Sequence, residues 1–252
     1  MNSSVLGKNK AVHFGLDFPR KSWTVASLSV AILVALPVVA VVVLSLRPSG
    51  DIWSHLISTS LPGYIRTTLW LMLGVGVSVI FTGVISAWLV TMCRFPGRRL
   101  FEWLLLVPLA FPAYVVAYAY TDLLEYSGAI QGFLRDFFGW QKPQDYWFPE
   151  VRSLGGAITL MGVVLYPYVY LLARAAFLEQ SVNVLEAARV LGHGPWRTFF
   201  RVSFPAARPA IAIGVALALM ETLNDFGTVD FFAVKTMTTA LFDVWLGMGS
   251  LA

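Results

Sequence analysis

Residues 186–205 read EAARVLGHGPWRTFFRVSFP, two short polar helices joined by a glycine turn between two apolar stretches. Asn183 precedes Glu186 by three positions, the spacing of a capping box with Asn at the N-cap and Glu at N3. The helix it opens, over 184–191, stops at Gly192, a residue suited to a left-handed turn. Gly194 and Pro195 then restart a helix, with proline at the position where no amide donor is missed. That second helix carries Trp196, Phe199, Phe200 and Val202 between Arg197 and Arg201, and Pro205 marks the entry to the next apolar stretch. Ala187 and Ala188 are small, Gly192 permits a sharp turn, and Glu186 can cap its own helix. A plain polar loop with some helix is the alternative.

A second polar group, Glu221, Asn224 and Asp225, ends an apolar stretch. Ionisable groups at membrane depth are costly and line pathways, although a wet helix end opening into a loop accounts for them too. Tyr114, Tyr118 and Tyr120 could offer phenolates to ferric iron, but an interfacial aromatic belt is the plainer reading. His13, His55 and His193 are far apart and form no ligand-spaced cluster, and the lone Cys93 excludes an intrachain disulfide or a multi-cysteine metal site. No metal site, cofactor or catalytic constellation is expected. Glu102 reads as an interfacial charge opposite Arg98 or Arg99.

The elements that position these residues are set by a composition of 58% hydrophobic and 13% charged residues over 252 positions, that of an integral membrane protein. The net charge of +4 is therefore no nucleic-acid footprint. Spans are predicted at 23–46, 67–93, 100–122, 153–177 and 205–226, each long enough for roughly 30 Å of hydrocarbon. Pro37, Pro108, Pro112 and Pro167 fall within them, read as packing irregularities or as kinks around a pathway. If the N-terminal segment 1–22 is cytoplasmic, twelve Lys and Arg lie inside against six outside, which favours that orientation. It places the 94–99 turn and the 183–204 insert in the cytoplasm. The segment 123–152 is then external, with a short amphipathic helix at 130–138 and Trp140, Tyr146 and Trp147 at head-group depth. The stretch TALFDVWLGMGS near the end is too short and polar to span.

Glu186-Ala187-Ala188, Gly192 four positions later, and Val202-Ser203-Phe204-Pro205 ten beyond that glycine resemble the EAA motif of ABC importer permeases. Val202 and Phe204 stand where that pattern has Ile and Leu. The resemblance implies an all-α polytopic bundle of five to six transmembrane helices, with a coupling helix-turn-helix that docks on a separate ATP-binding subunit. No G-x-x-x-x-G-K-[ST] pattern occurs in the chain, so the ATPase has to be another polypeptide and this chain is not itself an enzyme. Residues 108–124, 166–181 and 221–250 are similar to ferric-iron permeases, which implies ferric iron as cargo. Thiamine, putrescine or spermidine, phosphonate and sulfate permeases share the architecture and remain alternatives. The implied partners are ATPase subunits, a periplasmic binding protein docking on the loops around 123–152 and 227–250, a second permease half and the lipid of a bacterial inner membrane. Ferric-iron permeases pair two such halves in one chain, so 23–252 is expected to be an N-terminal half, cut short before a sixth span. An ATP-independent carrier using Glu221 is the competing class; it predicts inverted repeats, and none is seen.

Overall fold

The computed structural model describes residues 20–45 and 57–248, and every regular element among them is helical. Two compact units are distinguished, Met1–Gly50 with Ser250–Ala252, and Asp51–Gly249. In the first, α1 (Arg20–Ser45) is apolar on every side from Trp23 to Leu44, the composition of a span surrounded by lipid. Lys8, Lys10, His13, Arg47 and His55 lie outside the described residues.

The second unit is built around three long helices: α2 (Leu61–Met92), α6 (Leu154–Leu178) and α9 (Phe204–Asn224). Leu71, Val75 and Val79 of α2, Met161, Val164 and Val169 of α6, and Ile211 and Ala218 of α9 form its buried centre. Small residues bring the backbones close, as they do between helices in lipid. A Cβ at Gly83 would lie 2.8 Å from Cβ of Val169 and 2.9 Å from the Tyr166 carbonyl, and one at Gly214 would lie 2.8 Å from Cα of Val169. Gly74 sits over Ile158 and Gly83 over Tyr166 and Val169, so α2 and α6 run in the same direction. Gly76 meets Leu219 and Gly214 meets Val169, so α9 runs against both.

Two parallel neighbours require the chain to recross between them. The span expected over 100–122 makes that crossing, but not as one helix. It is broken into α3 (Arg98–Leu104), a 3-10 turn at Val107–Ala110 and α4 (Ala113–Leu124) running towards α5 (Ala129–Phe138), with a bend of 97° between the halves. Pro108 and Pro112 cause the break: neither has an N–H, and Phe111 before Pro112 is extended, at φ −118° and ψ 132°. A broken helix at membrane depth leaves carbonyls to satisfy. Two tyrosines of α6 supply donors, Tyr166 Oη to the Leu105 carbonyl at 2.9 Å and Tyr170 Oη to the Glu102 carbonyl at 3.2 Å.

Pro205 does not mark a break either. α8 (Pro195–Thr198), a π turn at Phe199–Ser203 and α9 form one continuous helix, Pro195–Asn224. The Phe204 N–H reaches back five residues to the Phe199 carbonyl, and this wider turn makes room for the Pro205 ring. α2 also begins six residues earlier than expected, at Leu61, and so includes Arg66.

The segment 125–152 folds as a cap at the start of α6. Buried Gln131 donates to the Leu124 carbonyl at 2.7 Å and accepts from the Tyr146 hydroxyl. Arg135 donates to the Tyr126 carbonyl at 2.7 Å with its guanidinium 4.1 Å above the Tyr126 ring. Arg152 pairs with Glu125 at 2.9 Å. α10 (Gly227–Phe231) joins this end, with the Arg152 guanidinium 4.6 Å above the Phe231 ring. α11 (Met237–Met248) is short, and Tyr64 Oη at the start of α2 donates to Asp243 Oδ2 at 3.1 Å.

Candidate functional site

The 183–204 insert emerges at the end of α6. Its first helix is α7 (Val182–Val190), which starts and ends a residue or two earlier than expected and so takes in Asn183. The Asn183 side chain lies outside those described. Gly192 adopts φ +76°, and the His193 N–H closes the turn on the Ala188 carbonyl at 3.0 Å, as a Schellman cap does. Nothing stands within 4 Å of a Cβ built on Gly192, so backbone conformation alone requires glycine there.

The motif residues divide between two faces. Glu186 and Ala187 are exposed, while Ala188 is only 5% exposed and faces the chain's own interior, so it cannot seat in a partner's groove. The open side is instead continued by Val190 and Leu191, 87% and 76% exposed. Val202 and Pro205 are half-buried in the continuous helix behind it.

What holds the insert to the bundle was not apparent from the motif. Trp88 near the end of α2 packs on Trp196 and Phe199, with ring centroids 5.1 and 5.2 Å away. Phe177 of α6 meets Phe199 at 6.3 Å, and Gln180 Nε2 donates to the Ser203 carbonyl at 2.8 Å. The insert is thus tied to α2 and α6 through rings and a hydrogen bond, and to α9 through continuous backbone. A lone tryptophan closing an aliphatic span was the available signal for Trp88. Between these elements lies a cavity of about 520 Å³ lined by Trp88, Met92, Cys93, His193, Thr198 and Phe199.

The polar group at the far end of α9 does not act as one cluster. Glu221 and Asn224 are exposed on its last turn. Asp225 turns back, its Oδ1 accepting the Thr228 N–H at 2.8 Å, and so serves as the cap of α10. Tyr114, Tyr118 and Tyr120 are exposed on α4, and no group of three His, Cys, Asp or Glu that could hold a metal occurs among the described residues. Glu102 contacts Arg98, as expected, and also Arg174 of α6, which the sequence did not suggest. In the 125–152 cap, the N–H groups of Lys142 and Gln141 both donate to Asp145 and hold its carboxyl below the usual carboxylate range.

Comparison with known proteins agrees with this arrangement. Residues 79–243 match the family described as binding-protein-dependent transport system inner membrane component. The molybdenum transport system permease protein ModB of Escherichia coli (strain K12) is 32% identical over 64% of this chain and 69% of its own length. The sulfate transport system permease protein CysT of the same organism is 30% identical over 85% of this chain and 76% of its own. The putative 2-aminoethylphosphonate transport system permease protein PhnU of Salmonella typhimurium is 29% identical over 70% of this chain and 61% of its own. Among solved structures, a bacterial alginate ABC transporter in complex with alginate pentasaccharide-bound periplasmic protein superposes with a TM-score of 0.67. That match covers 91% of this chain and 85% of the other at 17% identity, a likeness of fold. With more than half of its length matched and a bundle, a broken crossing and a projecting helix pair in place, this chain belongs to the family of binding-protein-dependent transport system inner membrane components.

Proposed function

We propose that this permease carries tetrahedral oxyanions inward across a bacterial inner membrane, driven by a separate ATPase that docks on α7. One observation carries the substrate class. The relatives above are named for molybdenum, sulfate and 2-aminoethylphosphonate. Molybdenum in neutral water is the tetrahedral molybdate ion, so all three cargoes present oxygens around a tetrahedral centre. Ferric iron, implied by the resemblance of 108–124, 166–181 and 221–250, has no counterpart among those names.

The geometry supports the division of labour. α6 has 25 residues, about 37 Å at 1.5 Å per residue, and separates the 125–152 cap from the coupling insert. The crossings are α1, α2, the bent α3–α4 pair, α6 and the continuous α8–α9 helix. With the N-terminus inside, the open face of α7 meets the ATPase in the cytoplasm. The cap and α10, joined through Arg152 and Phe231, meet the periplasmic binding protein outside. Glu221 and Asn224, exposed on α9, line the pathway against a second permease half.

Transport assays test the cargo. Proteoliposomes holding this chain, its ATPase and a binding protein should accumulate radiolabelled molybdate or sulfate only with ATP inside. Accumulation of ferric iron with neither oxyanion would overturn the assignment.

A further inference from the structure

Glu102 is shared between two guanidinium groups. Its Oε1 lies 3.5 Å from Arg98 Nε and its Oε2 3.2 Å from Arg174 Nη2. Arg99 lies beside them and has no carboxylate partner among the described residues. Three cations against one anion leave a formal excess of two positive charges. Nε of Arg98 and Nε of Arg174 are both buried and donate no hydrogen bond. Such donors are costly to leave unmet. A cavity of about 430 Å³ opens among Arg98, Arg99, Glu102 and Trp103. Glu102 is the one anion in its lining, and that carboxylate is already shared between Arg98 and Arg174.

The same short helix carries bare apolar surface. Trp103 is 75% exposed and Leu100 62%, with Leu104 next to them. α3 follows the end of one span and opens the bent crossing, so it lies at the membrane surface, the depth that tryptophan and arginine favour. An inorganic anion would match the charge and leave this apolar surface unmatched. An amphiphile matches both.

We infer that α3 and the last turns of α6 hold the headgroup of an anionic phospholipid. Its phosphate faces Arg98, Arg99 and Arg174, and its acyl chains lie along Leu100, Trp103 and Leu104. Guanidinium groups suit phosphate through their paired N–H donors, and basic pockets between membrane helices favour acidic headgroups. A zwitterionic lipid brings its own ammonium and leaves the excess charge in place. Glu102 competes with the phosphate for two of the three arginines and sets how tightly the lipid is held.

The test uses the full chain in nanodiscs of phosphatidylcholine doped with phosphatidylglycerol, with retained lipid read by native mass spectrometry. Phosphatidylglycerol should be retained over phosphatidylcholine. R99Q, an exposed substitution, should weaken retention about fivefold, the worth of one basic residue at an anionic surface. E102Q should strengthen it, because two guanidinium groups are released while the Tyr170 bond to the Glu102 backbone carbonyl is kept. A purely structural role for Glu102 would give no such gain. Equal retention of the two lipids, unchanged or weaker retention in E102Q, or displacement of phosphatidylglycerol by inorganic phosphate at matched concentration would each overturn the inference.

Discussion

At the scale of single residues, Gly192 concentrates the joint's demands in one backbone angle. Its φ of +76° costs a residue with a Cβ roughly 1–2 kcal/mol, and the cost is worst for a branched side chain. Because a Cβ there meets only open space, no clash with the bundle adds to this cost. Gly192→Val should therefore leave expression and membrane insertion unchanged. It should misdirect α7, so that ATP-driven uptake falls while the purified chain melts within a few degrees of wild type. Wild-type uptake by this variant would mean that the turn's handedness is irrelevant to coupling. The glycine was legible from sequence because helix termination is local. The burial of Ala188 was not, since which side of a short helix turns inward depends on residues far along the chain.

At the scale of elements, the projecting pair works only if it is fastened to the spans. Trp88 supplies that fastening through two aromatic contacts, each worth about 0.5–1.5 kcal/mol beyond burial. Trp88→Ala should lower the melting temperature. A double-mutant cycle with Trp196→Ala should return a coupling energy in the same ~0.5–1.5 kcal/mol range. Its functional signature should be ATP hydrolysis that continues without transport, because α7 still docks but no longer pulls on α2. A cycle energy near zero would remove Trp88 from the coupling route. The broken third crossing belongs to this scale as well. Its prolines were visible in the sequence but the 97° bend was not, nor were Tyr166 and Tyr170, whose hydroxyls meet the Leu105 and Glu102 carbonyls and tie the first half of the crossing to α6.

For the whole molecule, the expected arrangement is the cap of 125–152 on one side of the membrane and the coupling turn on the other. In a Cys93→Ser background, single cysteines at 136 and 193 should react with a membrane-impermeant maleimide from opposite sides, position 193 only from the cytoplasm. Labelling of both from one side would exclude α6 as a crossing, and external labelling of 193 would invert the orientation. The sequence by itself determined the membrane class, most of the long apolar helices, the amphipathic helix at 130–138, the helix-turn-helix after α6 and the glycine that turns it. These follow from composition, the length of apolar runs and short-range spacing, which a chain carries locally. Only the tertiary structure decided that α2 and α6 run parallel, that Trp88 holds the insert, and that Glu102 answers to Arg174 as well as Arg98. Each depends on a contact between residues whose pairing is set by how the helices pack, and no local pattern encodes it.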